Sequence, residues 1–205
     1  MSMLTLDHIA VAGETLTEAR DAVEAALGVT LQPGGQHAHF GTHNMLLGLE
    51  DGLYLEAIAI DPQAPKPAYP RWFDLDRFSG APRIGNWICR SDDLSEVVAA
   101  LPQAGTPVAL SRGDVRWSMA VPDSGQLPFD NRFPALMQWH SSPTPAQMLA
   151  PSGCRLTRLV VRHPQATRLQ AEVSPYLSDP RVVYETGPAG FSAEFETPTG
   201  HRVLE

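Results

Sequence analysis

Three histidines, His37, His39 and His43, fall within seven residues in the stretch GGQHAHFGTHN, in a chain that has seven histidines in all. Imidazoles at that density suit a transition-metal site, and equally a solvated loop leading into a strand. Glu56, in YLEAIAI, shares a strand face with Tyr54 and Ile58. A carboxylate on so apolar a face is costly unless it is paired or bound to a cation, which makes Glu56 the strongest pointer to chemistry. His8 lies mid-strand in LTLDHIAVA and reads either as a core histidine with one satisfied hydrogen bond or as a ligand. Thr42 and Asn44 offer polar groups to a bound molecule or to the local backbone. Two Arg-Trp dipeptides, Arg71-Trp72 and Arg116-Trp117, suit a small anionic or aromatic ligand, and also suit surface arginines lying over packed tryptophans.

The elements that must position these groups recur. LTLDHIAVA alternates as a strand, with Leu6, His8 and Ala10 on one face and Asp7, Ile9 and Val11 on the other. TLTEARDAVEAALG then repeats Leu16, Ala19, Val23 and Leu27 at helical spacing, and Gly28 is placed to stop it. Strands around VTLQP, HAHFGTHNMLLGLE and GLYLEAIAI follow, giving the order βαβββ. The order returns in GNWICRSDD, LSEVVAALPQAG, PVALSRG, VRWSMAVP and PALMQWHS, and again from Cys154 to HRVLE. The expected organisation is a first unit, 1–150, made of module one (4–60), a proline-rich crossover with one or two helical turns (61–82) and module two (83–141). A third βαβββ module follows at 154–205, packed on the first unit or completing a dimer.

LDHIAV, HxxxGTHN and YLEAIA in module one, with WICRSDDL and PALMQWH in module two, resemble the glyoxalase-like proteins of the vicinal oxygen chelate superfamily over roughly residues 4–150. The resemblance implies an α+β fold in which paired βαβββ modules curl a mixed sheet into a cup, with helices outside and a divalent metal (Zn, Ni, Mn or Fe) within. It implies His8 and Glu56 as metal ligands, with Glu56 also catalytic, and Asn44 and Thr42 of the GTxN motif as substrate contacts. Module two departs from the pattern. Aligning WICR with HIAV puts Trp87, a wall for substrate, where a second histidine belongs, and aligning LMQW with YLEA puts Gln138 where a second glutamate belongs. Gln138 offers a carbonyl oxygen, and His140 shares its strand face. In module three the matching positions are Arg158 and Glu205, and no metal is expected there. The implied activity is that of a metal-dependent lyase, isomerase or dioxygenase acting on a small molecule. The alternative is a metal-free binding or sequestering protein of the same fold.

Bulk properties narrow the setting. Fifteen Lys plus Arg against 23 Asp plus Glu give a net charge of −8, which disfavours a nucleic-acid partner. Two cysteines, Cys89 and Cys154, suggest neither a disulfide framework nor a cysteine zinc site, so a reducing cytoplasmic setting is expected. The N-terminus lacks the pattern of a signal peptide, and no apolar stretch reaches the roughly 18 residues of a membrane span. The odd number of modules leads to the expectation of a homodimer, because each cup needs two.

Overall fold

The first segment folds as β1 (Thr5–Ala12), α1 (Leu16–Leu27), β2 (Gln32–His37), β3 (Thr42–Leu49) and β4 (Tyr54–Ile60) in the computed structural model, which describes residues 3–205. Met1 and Ser2, which open the expected first unit, lie outside the described residues. The Thr15 hydroxyl accepts from the Glu18 N–H, and the Glu18 carboxylate accepts from the Thr15 N–H. This reciprocal cap fixes where α1 begins. Gly28, at φ 70°, ends it by returning its N–H to the Glu24 carbonyl. Ala19, Val23 and Leu27 are buried, as the helical spacing predicts.

Module two repeats the plan with β5 (Arg83–Arg90), α2 (Leu94–Ala100), β6 (Thr106–Arg112), β7 (Val115–Val121) and β8 (Ala135–Trp139). Single turns α3 (Pro128–Asn131) and α4 (Pro145–Met148) flank β8. Each module pairs its first strand in parallel with its last, β1 with β4 and β5 with β8, and the modules join where β1 and β5 pair antiparallel. The strands of the two modules therefore run β2-β3-β4-β1-β5-β8-β7-β6. The outer strands meet: a Cβ on Gly35 of β2 would lie 2.6 Å from Cδ of Arg112 at the end of β6. The sheet is curled into a cup.

The crossover contains two short turns over Trp72–Arg77, in which Phe73 and Asp74 take left-handed backbone at φ 59° and 58°. Such conformations cost on the order of 1 kcal/mol each. They are held by the Asp74 N–H on the Gly125 carbonyl and by the Asn131 amide on the Phe73 carbonyl. The result delivers Trp72 and Phe73 to the cup wall.

The third segment, β9 (Pro151–Arg162), α5 (Ala166–Val173), β10 (Val182–Glu185), β11 (Gly190–Thr197) and β12 (Gly200–Leu204), keeps the βαβββ order with a different ladder. Its first strand pairs with its second and third rather than with its fourth. Arg158 is bound to Glu185 at 2.8 Å and Glu194 at 3.2 Å, outside the cup. β9 also pairs with β3 of the same chain, through Gly48 with Pro151 and Leu49 with Cys154, to give one sheet of 12 strands. The third segment thus finds its partner within the chain, which removes the odd-module argument for a homodimer. Among the described residues no helix is long and apolar enough to cross a membrane.

Candidate functional site

Three strands of module one bring the polar groups together. His8 comes from β1, Asn44 from β3 and Glu56 from β4, while His37 closes β2. All four are buried among Tyr54, Trp72, Phe73, Trp117, Met119, Met137 and Trp139, with Arg112 at the margin. The enclosed clear space is about 30 Å³, room for about two waters. Counting the open mouth, the space is about 380 Å³.

His8 lies between two carboxylates. Its Nδ1 is 2.7 Å from Asp7 Oδ1, and its Nε2 is 3.6 Å from Glu56 Oε2. The ring stacks on Tyr54, whose hydroxyl oxygen is 3.4 Å from the same Nε2. Burial pulls the imidazole's pKa down, but Asp7 and Glu56 outweigh it and hold the pKa above its ordinary value. Burial likewise pushes Glu56 upward, and its contacts with His8, the nearby His37 and the Asn44 amide bring its pKa below the usual carboxylate range. For Asp7, burial is overcome by His8, by the Trp139 indole N–H at 3.0 Å and by Arg90 at 3.2 Å. The two carboxylates thus favour the protonated form of His8.

Asn44 organises the rest. Its Oδ1 accepts from the Gly35 N–H at 2.8 Å and from Arg112 at 3.0 Å, so its NH2 must point inward. That NH2 donates to Glu56 Oε1 at 2.5 Å and lies 3.3 Å from His37 Nε2. His37 therefore accepts at Nε2 and donates from Nδ1 to Thr42 Oγ1 at 3.0 Å. Burial pushes its pKa down to about 4, which keeps it neutral. The glycine pair of the opening stretch is what allows this packing: a Cβ on Gly34 would lie 2.0 Å from Asn44 Oδ1. The histidine cluster divides accordingly. His37 faces the cup, His39 stacks on Tyr69 beyond the end of β2, and His43 lies between the inward Thr42 and Asn44 on β3, half-buried on the other face.

The structure brings His8, Glu56 and Asn44 together, with Thr42 as a support behind His37. The other expected residues lie elsewhere. Gln138 accepts from the Leu94 N–H and donates to the Asp92 carbonyl at the start of α2, while its neighbours Met137 and Trp139 line the cavity. His140 is exposed and bound to Ser118. Trp87 is fully buried, donates to the Arg132 carbonyl and lies 6.3 Å from Tyr184 of the third segment. Arg71 binds Asp76 and the Phe40 carbonyl, tying the crossover to the turn after β2. Arg116 is exposed, because it alternates with the inward Trp117 on β7.

The register explains the displaced positions in module two. His8 pairs with Ile88 and Ala10 with Asn86, so exchanging the modules maps His8 onto Asn86 and Ala10 onto Ile88. Glu56 stands beside Ala10, and the residue beside Ile88 is Ala135. The module-two counterparts of His8 and Glu56 are therefore Asn86 and Ala135, one and three residues from Trp87 and Gln138. An odd slip moves a strand residue to the opposite face. Sequence reasoning also missed Asp7, which it placed opposite His8. A β-bulge between Leu6 and His8 removes Asp7 from the alternation and turns its carboxylate to His8.

These donors do not compose the expected divalent centre. Ala135 has no ligand atom, and Asn86 is bonded to Asn131. In module one, His8 Nδ1 is taken by Asp7, and the Asn44 NH2 fills the space between Glu56 and His37. Among the described residues, no group of three or more His, Cys, Asp or Glu side chains is arranged to hold a metal ion.

One solved structure shares this architecture. A structure of a hypothetical protein from Staphylococcus aureus superposes with a TM-score of 0.63 at 14% identity, covering 91% of this chain and 87% of that one. Methylmalonyl-CoA epimerase from Mycobacterium tuberculosis matches at 21% identity and a TM-score of 0.46, over 70% of this chain and 92% of that one. A Streptomyces coelicolor methylmalonyl-CoA epimerase matches at 15% identity and a TM-score of 0.44, over 68% of this chain and 100% of that one. No curated protein matches the chain by sequence. The family model described as the glyoxalase-like domain matches residues 6–177, so the chain belongs to the glyoxalase-like domain family.

Proposed function

We propose that this glyoxalase-like protein is an enzyme that moves a proton on a small molecule held in the cup, an isomerase or lyase in type. The observation that carries the reading is the buried imidazole of His8 between Asp7 and Glu56, facing a cavity with aromatic walls. Glu56, ionised, is the base, and His8, protonated, is the acid that stabilises negative charge developing on the substrate. Asp7 orients His8 through Nδ1, and Tyr54 stacks on the ring, so the imidazole presents Nε2 to the cavity. The functional unit in this reading is the pair 4–60 and 83–141, with the third segment outside the cup.

The test is hydrogen exchange. Small carbonyl compounds and carboxylic acids are incubated with the protein in deuterium oxide, and deuterium at carbon is followed by NMR. A substrate that exchanges with wild type should lose about 10²–10⁴-fold in rate with Glu56→Gln, and a similar loss is expected with His8→Gln. Exchange that survives both substitutions overturns the proposal. An activity that needs stoichiometric Zn, Ni, Mn or Fe restores the metal-dependent reading instead. A second reading, ligand holding without chemistry, is favoured by the aromatic lining from Trp72, Trp117 and Trp139. It is the outcome if ligands bind and no exchange occurs.

A further inference from the structure

Arg112 is the only lysine or arginine among the described residues lining the cavity. The carboxylate lining it, Glu56, is already matched by His8 and Asn44, and Asp7, behind His8, is matched by His8 and Arg90. Arg112 has no carboxylate partner among the described residues. Its one hydrogen bond is from Nη1 to the neutral Asn44 Oδ1. A half-buried guanidinium with most of its donors uncommitted, in a chain of net charge −8, is a place for an anion.

We propose that Arg112 anchors the anionic group of the ligand, and that the cup takes small monocarboxylates with a flat apolar body. This specifies the substrate class of the proton-transfer reading above and rests on that reading's choice of the cup as the ligand site. The carboxylate suits the planar fork of the guanidinium. The body of the ligand lies among Trp72, Trp117 and Trp139, with its reacting carbon towards Glu56. Arg112 and Asn44 also span the two outer strands of the cup, and the clear space of about 30 Å³ is too small for such a ligand. The ligand therefore enters as Arg112 exchanges its bond to Asn44 for one to the carboxylate.

The experiment uses the full chain and reads tryptophan fluorescence, since three of the four tryptophans line the cavity. Phenylacetate, phenylacetamide and phenyl phosphate serve as probes. Wild type is expected to bind phenylacetate about tenfold or more tightly than the amide, as a charge-assisted hydrogen bond allows. Arg112→Gln is expected to abolish that preference while keeping wild-type circular dichroism and melting. Arg116→Gln, on the outer face, should keep it. Equal binding of acid and amide by wild type overturns the proposal, as does a preference that survives in Arg112→Gln. Tighter binding of phenyl phosphate than of phenylacetate overturns the carboxylate assignment. Should Arg112→Gln fail to fold, Arg112→Lys, which keeps the charge and loses the fork, is expected to weaken the preference at least threefold, and an unchanged preference in it overturns the proposal. Hydrogen exchange is a separate readout: carboxylate preference without exchange overturns proton transfer and leaves the anchor standing.

Discussion

Modules one and two share strand order, pairing and helix placement, yet only module one buries charge. At the positions related by exchanging the modules, His8 and Glu56 face Asn86 and Ala135. The cup needs both modules for its walls, since Trp117, Met119, Met137 and Trp139 come from module two. It draws the imidazole–carboxylate pair from one. The difference separates two tasks that the fold can assign to either half, shaping the cavity and supplying reactive groups.

The sharpest way to break this comparison is to truncate both halves at equivalent positions. Glu56→Ala removes one of the two carboxylates that favour protonated His8 and should cost about 3–5 kcal/mol. Asn86→Ala loses one amide hydrogen bond to Asn131, while its other amide atom, Nδ2, already has no partner. That change should cost about 1 kcal/mol. Urea unfolding of the two variants measures the gap, and equal costs would mean that the buried charges are not what distinguishes module one.

The charges also give module one a signature in pH. His8 has a folded pKa above its ordinary 6.5, so its contribution is complete below 6.5 and is lost as pH rises through the folded value. His37 behaves oppositely. Its folded pKa is about 4 against 6.5, so the unfolded chain takes up a proton that the folded chain refuses as pH falls between those values. That lowers stability by roughly 3 kcal/mol by pH 4. Glu56 and Asp7, with folded values below 4.5 and 3.8, contribute above those ordinary values and weaken the fold as pH drops through the lowered ones. Stability from these groups therefore peaks near pH 6.5. Denaturant midpoints measured from pH 4 to 9 should show the dome, and His37→Gln should flatten its limb between 6.5 and 4.

Much of this arrangement was legible in the sequence, and the failures have physical causes. The βαβββ order of the first two modules could be read because Thr15, Gly28 and the apolar spacing of α1 carry local signals. Glu56 stood out because an ionised group on a strand with Tyr54 and Ile58 needs a partner. Module two slipped because Trp87, Ile88 and Cys89 of β5 are buried on both faces, so no alternation marks which residue turns inward. Asp7 was hidden by a bulge, which no alternation rule anticipates. Arg112 was hidden because its role arises from the meeting of β2 and β6, about 70 positions apart in the chain. The third segment matched in element order, and order alone does not specify which strands pair.

Gly34 tests whether module one's network depends on close packing as well as on charge. A methyl group at Gly34 would fall 2.0 Å from Asn44 Oδ1, so Gly34→Ala must move the amide that holds Glu56 and His37. The cost should be about 1–3 kcal/mol, read as a lowered urea midpoint. Gly113, at the end of the β6–β7 hairpin of module two, has open space around its Cβ position. It carries only the strain of its φ of 56°, about 1 kcal/mol for alanine. A Gly34→Ala variant as stable as wild type would show that Asn44 is not fixed by β2.

The smallest expected effect separates orientation from chemistry. Asp7 sits behind His8, where its negative charge helps hold the imidazole protonated. Asp7→Asn keeps an oxygen for the Trp139 indole N–H and lets His8 shed its proton rather than stand unpaired, so the loss of stability should be smaller than for Glu56→Ala. If His8 is the acid, activity falls on the alkaline side as His8 loses its proton. In Asp7→Asn that limb should move to lower pH, while the acid limb set by Glu56 stays in place. A merely structural Asp7 would lower activity at every pH and leave both limbs where they were. The pH dependence of hydrogen exchange in the variant decides between them, because only loss of the charge behind His8 moves one limb alone.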